Sequence, residues 1–406
     1  MATTEPNLTD RIDEAQLKIT QQFLQQCTHG AQTRRLPNEF AACGQFIAGE
    51  AEEIEQFGLH GISAALRVLA PCHSTECGAI VGRLVTYCEA IFGVNPSHQI
   101  DTNCDLKSED KQNVIKLGEL LYGLSFVTAA QADRGPLIRH IADQLLSSMR
   151  NDKGWGYFLA GSVPELLPTA YAVRGLAQNG FDTRGPQRFL LDGLDMRKQF
   201  AHPSHADLTT AVACTYCLTF CGTVSDEEKT ILRNAFLSEW RAFEPLLGED
   251  FEQNLEYWHG KQTEYVRIPF QLYLLALAAE YSFWRFASYY AQRSLQAVVD
   301  ALRTGSFKYS YSGECLSSRT NSIAFDVILV IRSRIRHRLW LNLANSWDRV
   351  RVFFGSKTFR VSAALVAFSF VGWAVWEWSK TGKVADLAPE LLAGILMFFL
   401  TLGRRH

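Results

Sequence analysis

The chain has 406 residues, ten cysteines and a formal net charge of −2. This length accommodates one large domain or two domains of ordinary size, together with a short C-terminal hairpin. The cysteines are scattered, which excludes a secreted scaffold built on a disulfide framework and indicates a reducing compartment. The first residues are polar and acidic, so no signal or transit peptide is predicted.

Charge is unevenly distributed along the chain. From Ile331 onward there are 12 Lys and Arg against 4 Asp and Glu, whereas the preceding residues have 28 against 38. An acidic domain repels nucleic acid in bulk, so we expect no general duplex binding, and a polyanion would need a localised basic pocket. Four arginines at 332, 334, 336 and 338 indicate either a solvated helix surface or contact with anionic lipid headgroups.

Helical periodicity dominates the first 332 residues. Residues 1–54 are interpreted as a helical lead-in and residues 55–332 as one all-α domain, because apolar positions recur every three to four residues without sustained strand alternation. One unit recurs: the turn Gly154-Trp155-Gly156-Tyr157 precedes a helix that Pro168 opens and Gly180 closes. Related helices are predicted to begin at His60, Lys116, Ala206, Arg267 and Ser317.

The helix starts are about 40 to 60 residues apart, which leaves room for a second helix in each interval. Six helix pairs of this period predict repeats stacked in a closed ring. The six helices are apolar nearly all round, as expected of an inner layer covered by an outer one.

Three stretches resemble proteins of the α/α-toroid superfamily. Residues 154–181 look like a repeat of terpenoid cyclases or of the β subunits of protein prenyltransferases, and residues 305–328 have the same layout. Residues 57–66, FGLHGISAAL, are similar to a His-Gly helix start of lanthionine cyclases. The resemblance covers residues 55–332 and implies an (α/α)6 toroid.

The catalytic motifs of those families are not found. The sequence contains neither the Asp-x-Asp-Asp acid motif nor the Asp-Asp-x-x-Asp diphosphate motif, and Trp258-His259-Gly260 only partly matches the zinc motifs of lanthionine cyclases. The resemblance therefore implies an architecture but does not by itself imply an activity, and no cofactor is predicted.

Two groups of residues have metal-ligand spacing. His202, His205, Cys214 and Cys217 form His-x2-His-x8-Cys-x2-Cys, a pattern that can complete a zinc tetrahedron. The alternative is that the cysteines are small core residues and that the histidines lie in a loop ahead of an Asp207 N-cap. Cys72, His73 and Cys77 are a weaker group without a fourth ligand.

The starts of the inner helices would open on one end of the ring. His60, Asp207, Arg267, Arg319 and Asn321 stand at or near such starts. Two guanidiniums and a histidine above helix N-termini predict an anion site, with Trp155, Tyr171 and Tyr273 lining the wall beneath. The alternative is that Arg267 and Arg319 form salt bridges between helices.

Two apolar runs, 361–378 and 387–402, follow a basic segment at 333–360. They predict a transmembrane hairpin, and the flanking arginines place both ends and the helical domain in the cytoplasm, attached to the inner membrane. The alternative is a buried hairpin of a soluble domain. Glu377, Asp386 and Glu390 would line a cation path if several hairpins assembled, or would lie at the headgroups.

Two functions fit these expectations. The first is a membrane-anchored sensor whose toroid binds an anionic, nucleotide-like or oligonucleotide-like ligand and controls an ion path through a homo-oligomer. This plan is similar in architecture to bacterial antiviral effectors. The second is a membrane-bound enzyme of terpenoid or prenyl-lipid chemistry, against which the missing motifs count. A scaffold with a filled ring is a third reading.

Overall fold

The computed structural model describes residues 8–32, 58–94, 110–151, 153–161, 163–197, 205–221, 223–248, 255–258, 261–266, 268–304 and 318–334. The chain divides into two units, Met1–Leu341 and Asn342–His406, and the described residues all lie in the first. Within them, no helix is both long enough and apolar enough to cross a membrane. The predicted hairpin, 361–402, and all but the first two residues of the basic segment 333–360 lie outside the described residues.

The described part is all-helical apart from one short hairpin. Its α-helices are α1 Leu8–Gln32, α2 Gly58–Leu69, α3 Thr75–Ile91, α4 Val114–Ser125, α5 Gly135–Ser148, α6 Leu166–Gln178, α7 Arg184–Arg197, α8 His205–Thr219, α9 Asp226–Ser238, α10 Trp240–Phe243, α11 Ile268–Tyr281, α12 Phe283–Phe286, α13 Tyr289–Thr304 and α14 Ser318–Arg334. Short 3-10 turns lie at Asp110–Gln112 and Glu244–Leu247. The predicted all-α class is confirmed for this part of the chain.

Six of these helices contact one another in cyclic order. The order is α2, α4, α6, α8, α11 and α14, and α14 contacts α2 again. All six begin within two residues of a predicted start. Their residues are buried on nearly every side, including Leu66, Leu120 and Val173. These six are called the inner helices below.

A second set of helices packs on the inner ones. α3 packs on α2, α5 on α4, α7 on α6 and α8, α9 on α8, and α13 on α11. Helix α1 contacts α2, α13 and α14, so it packs beside the contact between the last inner helix, α14, and the first, α2. Charged residues on these helices mostly face water, as amphipathic helices on the outside of a core require.

The Gly-Trp-Gly-Tyr turn is fixed to α6 by Thr169. The Trp155 N–H donates to Thr169 Oγ1 at 3.0 Å, and Thr169 Oγ1 donates back to the Trp155 carbonyl at 3.1 Å. Gly154 has φ of +151°, and a Cβ there would lie 2.5 Å from Thr169 Oγ1. At the other end of α6, Gly180 has φ of +83°, which confirms the predicted glycine stop.

One short two-stranded hairpin, which the sequence did not predict, lies among the helices. β1, Leu255–Trp258, pairs antiparallel with β2, Lys261–Val266, so that Leu255 faces Val266 and Trp258 faces Lys261. A four-residue strand is too short for alternation to be distinguished from helical spacing in the sequence. His259 and Gly260, which belong to the partial zinc-motif match, lie outside the described residues.

Helix α9 begins with a reciprocal cap. Ser225 Oγ accepts the Glu228 N–H at 3.2 Å, and Glu228 Oε2 accepts the Ser225 N–H at 2.8 Å. Ser225→Ala removes both the side-chain acceptor and the support of Glu228, so we expect it to lower the free energy of unfolding by about 1 kcal/mol. Denaturant titration measures the change. Ser225→Thr keeps the hydroxyl and serves as the control; equal losses in the two variants would contradict the capping role.

Candidate functional site

Four charged side chains from different inner helices lie buried among apolar residues. They are Arg67 of α2, Glu119 of α4, Arg174 of α6 and Asp326 of α14, with exposed fractions of 2, 2, 1 and 5 %. A charged group is rarely buried to this extent unless it is paired or has a ligand. The four, together with Tyr122 and Tyr216, are called the central cluster below.

The ion pairs of the central cluster are loose. Asp326 Oδ2 lies 3.5 Å from Arg174 Nη2 and 3.8 Å from Arg67 Nη1, and Arg67 Nη2 lies 4.0 Å from Glu119 Oε1. Nitrogen–oxygen hydrogen bonds are normally 2.7–3.2 Å long. Accordingly, Arg67 Nε and Nη2, Arg174 Nε, Nη1 and Nη2, and Asp326 Oδ2 are buried without a hydrogen-bond partner among the described residues.

Aromatic rings hold the guanidinium of Arg174. Its Cζ lies 3.4 Å from the ring centre of Tyr122 and 4.9 Å from that of Tyr216. Arg67 approaches the Tyr122 ring as well, at 4.8 Å. Rings occupy the faces of a guanidinium, whereas its N–H groups project from its edge. The stack therefore fixes Arg174 while leaving its donors available to an oxyanion.

Burial weakens the negative charge of the central cluster. Desolvation raises the pKa of the Asp326 carboxyl above its ordinary value, although Arg67 and Arg174 act in the opposite direction. Burial also raises the pKa of the hydroxyls of Tyr122 and Tyr216, so both phenols are neutral. Two guanidiniums thus face the carboxyl groups of Glu119 and Asp326, and burial drives the second of these toward its neutral form.

Asp326→Asn tests this charge balance. Because the folded-state pKa of Asp326 is raised, its stabilising contribution is complete below the ordinary pKa and declines as pH rises through the folded pKa. Asparagine imitates the protonated form at every pH. We therefore expect equal stability near pH 4 and a more stable variant near pH 7, as read from denaturation midpoints at about those two values. Greater stability of the wild type at neutral pH would show that the arginines need a charged Asp326.

His60 connects the central cluster to the surface. Its Nδ1 is hydrogen-bonded to Glu119 Oε2, and its side chain is 12 % exposed. Ser63 Oγ, one turn along α2, donates to the Glu119 backbone carbonyl at 2.6 Å. Since His60 lies in the first turn of α2, the contacts run from the beginning of that helix through Glu119 to Arg67.

The predicted wall residues have different positions. Tyr171 and Tyr273 are buried and share a hydroxyl–hydroxyl bond of 3.1 Å, and Tyr273 stacks on Tyr216 with ring centres 4.1 Å apart. They therefore border the central cluster. Trp155 is 1 % exposed, and its ring N–H donates to the Leu145 carbonyl at 2.7 Å, so it anchors the turn between α5 and α6.

The predicted rim is described only in part. Asn321 is buried near the start of α14, and Asp207 is half-buried in the first turn of α8. Arg267 and the side chain of Arg319 lie outside the described residues. Whether these arginines meet His60 thus stays a prediction.

Neither metal-ligand pattern forms a cluster within the described residues. No group of three or more His, Cys, Asp or Glu suited to a metal ion occurs among them. Cys214 and Cys217 are fully buried in α8, and burial raises the pKa of the Cys217 thiol to about 12. His202 and the side chain of His205 lie outside the described residues. Burial likewise raises the pKa of Cys77 to about 11, and His73 faces water.

The sequence contains a signal for the central cluster that the rim hypothesis did not use. Each of its four charged residues interrupts an apolar helical stretch, as in AALRVLA around Arg67 and YAVRGLA around Arg174. A charge on a helix that is apolar all round has no route to water. Two positive and two negative residues of this kind, on separate helices, indicate a shared buried site.

Comparison with known proteins assigns no family to this chain. No family model matches it, and no curated protein matches it significantly. The role of the central cluster therefore has to be inferred from its own chemistry.

Proposed function

We propose that the chain is a membrane-anchored ligand sensor, in which an (α/α)6 toroid binds an anionic ligand at Arg67 and Arg174. The observation that carries the proposal is the set of buried guanidinium nitrogens without hydrogen-bond partners among the described residues. Leaving such donors unpaired costs about 1–3 kcal/mol each, and more for a charged group. An oxyanion between the two arginines would satisfy several at once.

The cyclic order in which the six inner helices contact one another supports the toroid. A ring of six inner helices, each paired with an outer helix, accounts for the return contact between α14 and α2 and for the cover that α1 provides there. In such a ring, side chains from opposite helices converge at the centre. Arg67, Arg174 and Asp326 come from three different inner helices, and nevertheless both arginines have a nitrogen within 4 Å of Asp326 Oδ2.

The chemistry of the ligand follows from that of the central cluster. Two arginines with donors along their edges suit phosphate, which accepts two parallel N–H bonds. The tyrosine rings beside them hold the guanidinium in place, and neighbouring aromatic side chains favour a ligand that carries a nucleobase as well as a phosphate. A nucleotide or a short oligonucleotide combines both features.

The sensor acts through the predicted hairpin. Runs 361–378 and 387–402 of several copies would assemble, with Glu377, Asp386 and Glu390 facing an ion path and the toroid in the cytoplasm. Ligand binding controls that path only if the ligand prefers one packing of the oligomer over another.

Release of the bound ligand tests the binding step. Full-length protein is purified in detergent and denatured, and the released small molecules are identified by mass spectrometry. We expect a phosphorylated compound from the wild type and none from the Arg67→Lys, Arg174→Lys variant, which keeps both charges but loses the planar fork. Arg241→Lys, an exposed position, is the matched control.

A second readout uses added ligands. A ligand at 100 times its Kd stabilises the folded state by about 2.7 kcal/mol. We expect pyrophosphate, ATP or a short oligoadenylate to raise the melting temperature of the wild type and not that of the lysine variant, with adenosine as the uncharged control. No released phosphorylated compound together with no shift from any of the three probes would overturn the proposal.

The anchor is tested on the full chain by alkaline washing of membranes. A protein held by a transmembrane hairpin stays in the membrane pellet, whereas recovery in the wash would remove the effector from the proposal and leave the binding site standing.

A further inference from the structure

A groove of about 610 Å³ lies between the outer helices α7 and α9, with α8 as its floor. Its walls are one stripe of α7, from Arg184 to Asp195, and one stripe that follows α9 from Glu228 to its C-terminal cap Glu239. Within each stripe the lining residues recur every three to four positions, so each helix presents one face to the groove. Each stripe spans 12 residues, so each wall is about 18 Å long.

The inner surface of the groove is apolar. Leu191 and Leu194 of α7 face Ile231, Leu232 and Phe236 of α9 across it. Ile231 is 53 % exposed, one of the large hydrophobic side chains that the described residues leave open to solvent. Apolar residues at i, i+3 and i+4 on α9, opposite two leucines at i and i+3 on α7, match the groove form in which an amphipathic helix is bound.

The rim of the groove is acidic. Four carboxylates border it, namely Asp192, Asp195, Glu228 and Glu239, against two arginines, Arg184 and Arg188. Arg184 is paired with Asp182, with a shortest nitrogen–oxygen distance of 2.6 Å, and Glu228 is engaged by Ser225 in the cap of α9. The remaining lining groups, Asp192, Asp195 and Glu239 against Arg188, are still acidic on balance. Two of the carboxylates, Asp192 and Asp195, lie toward the C-terminal end of α7, where the helix dipole adds negative potential.

We propose that the groove between α7 and α9 is a docking site for a basic amphipathic helix of a partner protein. The apolar face of that helix lies on Ile231 and Phe236, and its lysines or arginines pair with the acidic rim. Its N-terminal end, which is the positive end of its dipole, lies beside Asp192 and Asp195, so the bound helix runs antiparallel to α7. The docked helix covers the exposed part of Ile231 and completes the outer layer at this position.

A synthetic peptide tests the docking site directly. The probe is a fluorescent peptide of about 14 residues, with leucine and lysine arranged at the helical period so that it spans the groove. Full-length protein is titrated and fluorescence anisotropy is recorded. We expect saturable binding that weakens with salt, and we expect a peptide of the same composition with alternating leucine and lysine to bind at least about tenfold more weakly, since it cannot form an amphipathic helix.

Variants of the protein identify where the peptide binds. Ala235→Trp fills the groove and should weaken binding about tenfold or more, as loss of a central contact does. Asn234→Trp is the matched control, because residue 234 is exposed on the same helix and does not line the groove. The peptide also partitions into detergent. The test is therefore the difference in peptide Kd between the Ala235→Trp and Asn234→Trp variants, measured in the same detergent buffer.

Two further variants keep the proposal falsifiable if tryptophan disturbs α9. Ile231→Glu changes an exposed position and should weaken binding by a similar factor with an unchanged melting temperature. Asp192→Asn with Asp195→Asn should reduce the salt dependence. Binding that is equal in the Ala235, Ile231 and Asn234 variants would overturn the proposal, as would equal binding of a peptide with glutamate in place of lysine.

Discussion

Arg174→Ala should lower the free energy of unfolding by about 3 kcal/mol, because it removes a large buried side chain, while the loss of its unpaired nitrogens offsets part of the cost of the cavity. Arg174 is 1 % exposed, and its guanidinium lies between the rings of Tyr122 and Tyr216. Alanine removes the cation that both rings contact and leaves a cavity between them. It also removes one of the two arginines beside Asp326, whose carboxyl then becomes neutral more readily.

Denaturant titration of the full-length protein, followed by tryptophan fluorescence, measures this loss. Arg139→Ala on α5 is the control, because Arg139 is exposed and surface substitutions rarely change stability by more than about 0.5 kcal/mol. Arg174→Met fills part of the cavity and should recover some of the stability. A loss below 1 kcal/mol for alanine would mean that the central cluster rearranges freely, which contradicts a fixed guanidinium.

Helix positions were predictable because their signals are local. The Pro168 and Gly180 pair delimits α6, and apolar repeats mark the starts of the other inner helices to within two residues. The return contact between α14 and α2 joins residues that are far apart in sequence. It was expected from the count and spacing of the helix pairs.

The central cluster was not predicted because side-chain direction depends on the packing of whole helices. His60 and Asn321 were chosen for their positions at helix starts, whereas Arg67 and Asp326 lie one to two turns further along. Which faces of six mutually packed helices meet at the centre is a tertiary property. The groove between α7 and α9 is invisible in the sequence for the same reason, since its two stripes come from helices joined through α8.

Gly118→Ala should destabilise the protein by about 3 kcal/mol, near the upper end of the usual cost of overpacking a core. A Cβ at Gly118 would lie 2.5 Å from the Tyr171 carbonyl oxygen and 2.8 Å from the Ala172 nitrogen. These are backbone atoms of α6, so the contact can be relieved only by moving one helix away from the other. Gly175 makes the reciprocal approach, with a Cβ position 2.4 Å from the Gly118 carbonyl oxygen.

Gly78→Ala is the matched control: it is the same substitution, but we expect it to raise the free energy of unfolding instead of lowering it. Gly78 lies inside α3, and the nearest atom to its added Cβ is a flexible side-chain carbon of Gln131 at 3.9 Å. Alanine there has room and lowers the entropy of the unfolded chain, so we expect the free energy of unfolding to rise by about 0.4–1 kcal/mol.

The clash at Gly118 also affects the central cluster. Because the added Cβ would meet the backbone of Tyr171, a shift of α6 away from α4 also displaces the Tyr171 ring beside the central cluster. Gly118→Ala should therefore weaken retention of the phosphorylated ligand as well as stability, whereas Gly78→Ala should leave retention unchanged; a Gly118 variant as stable as the wild type would contradict the backbone contact between the two helices.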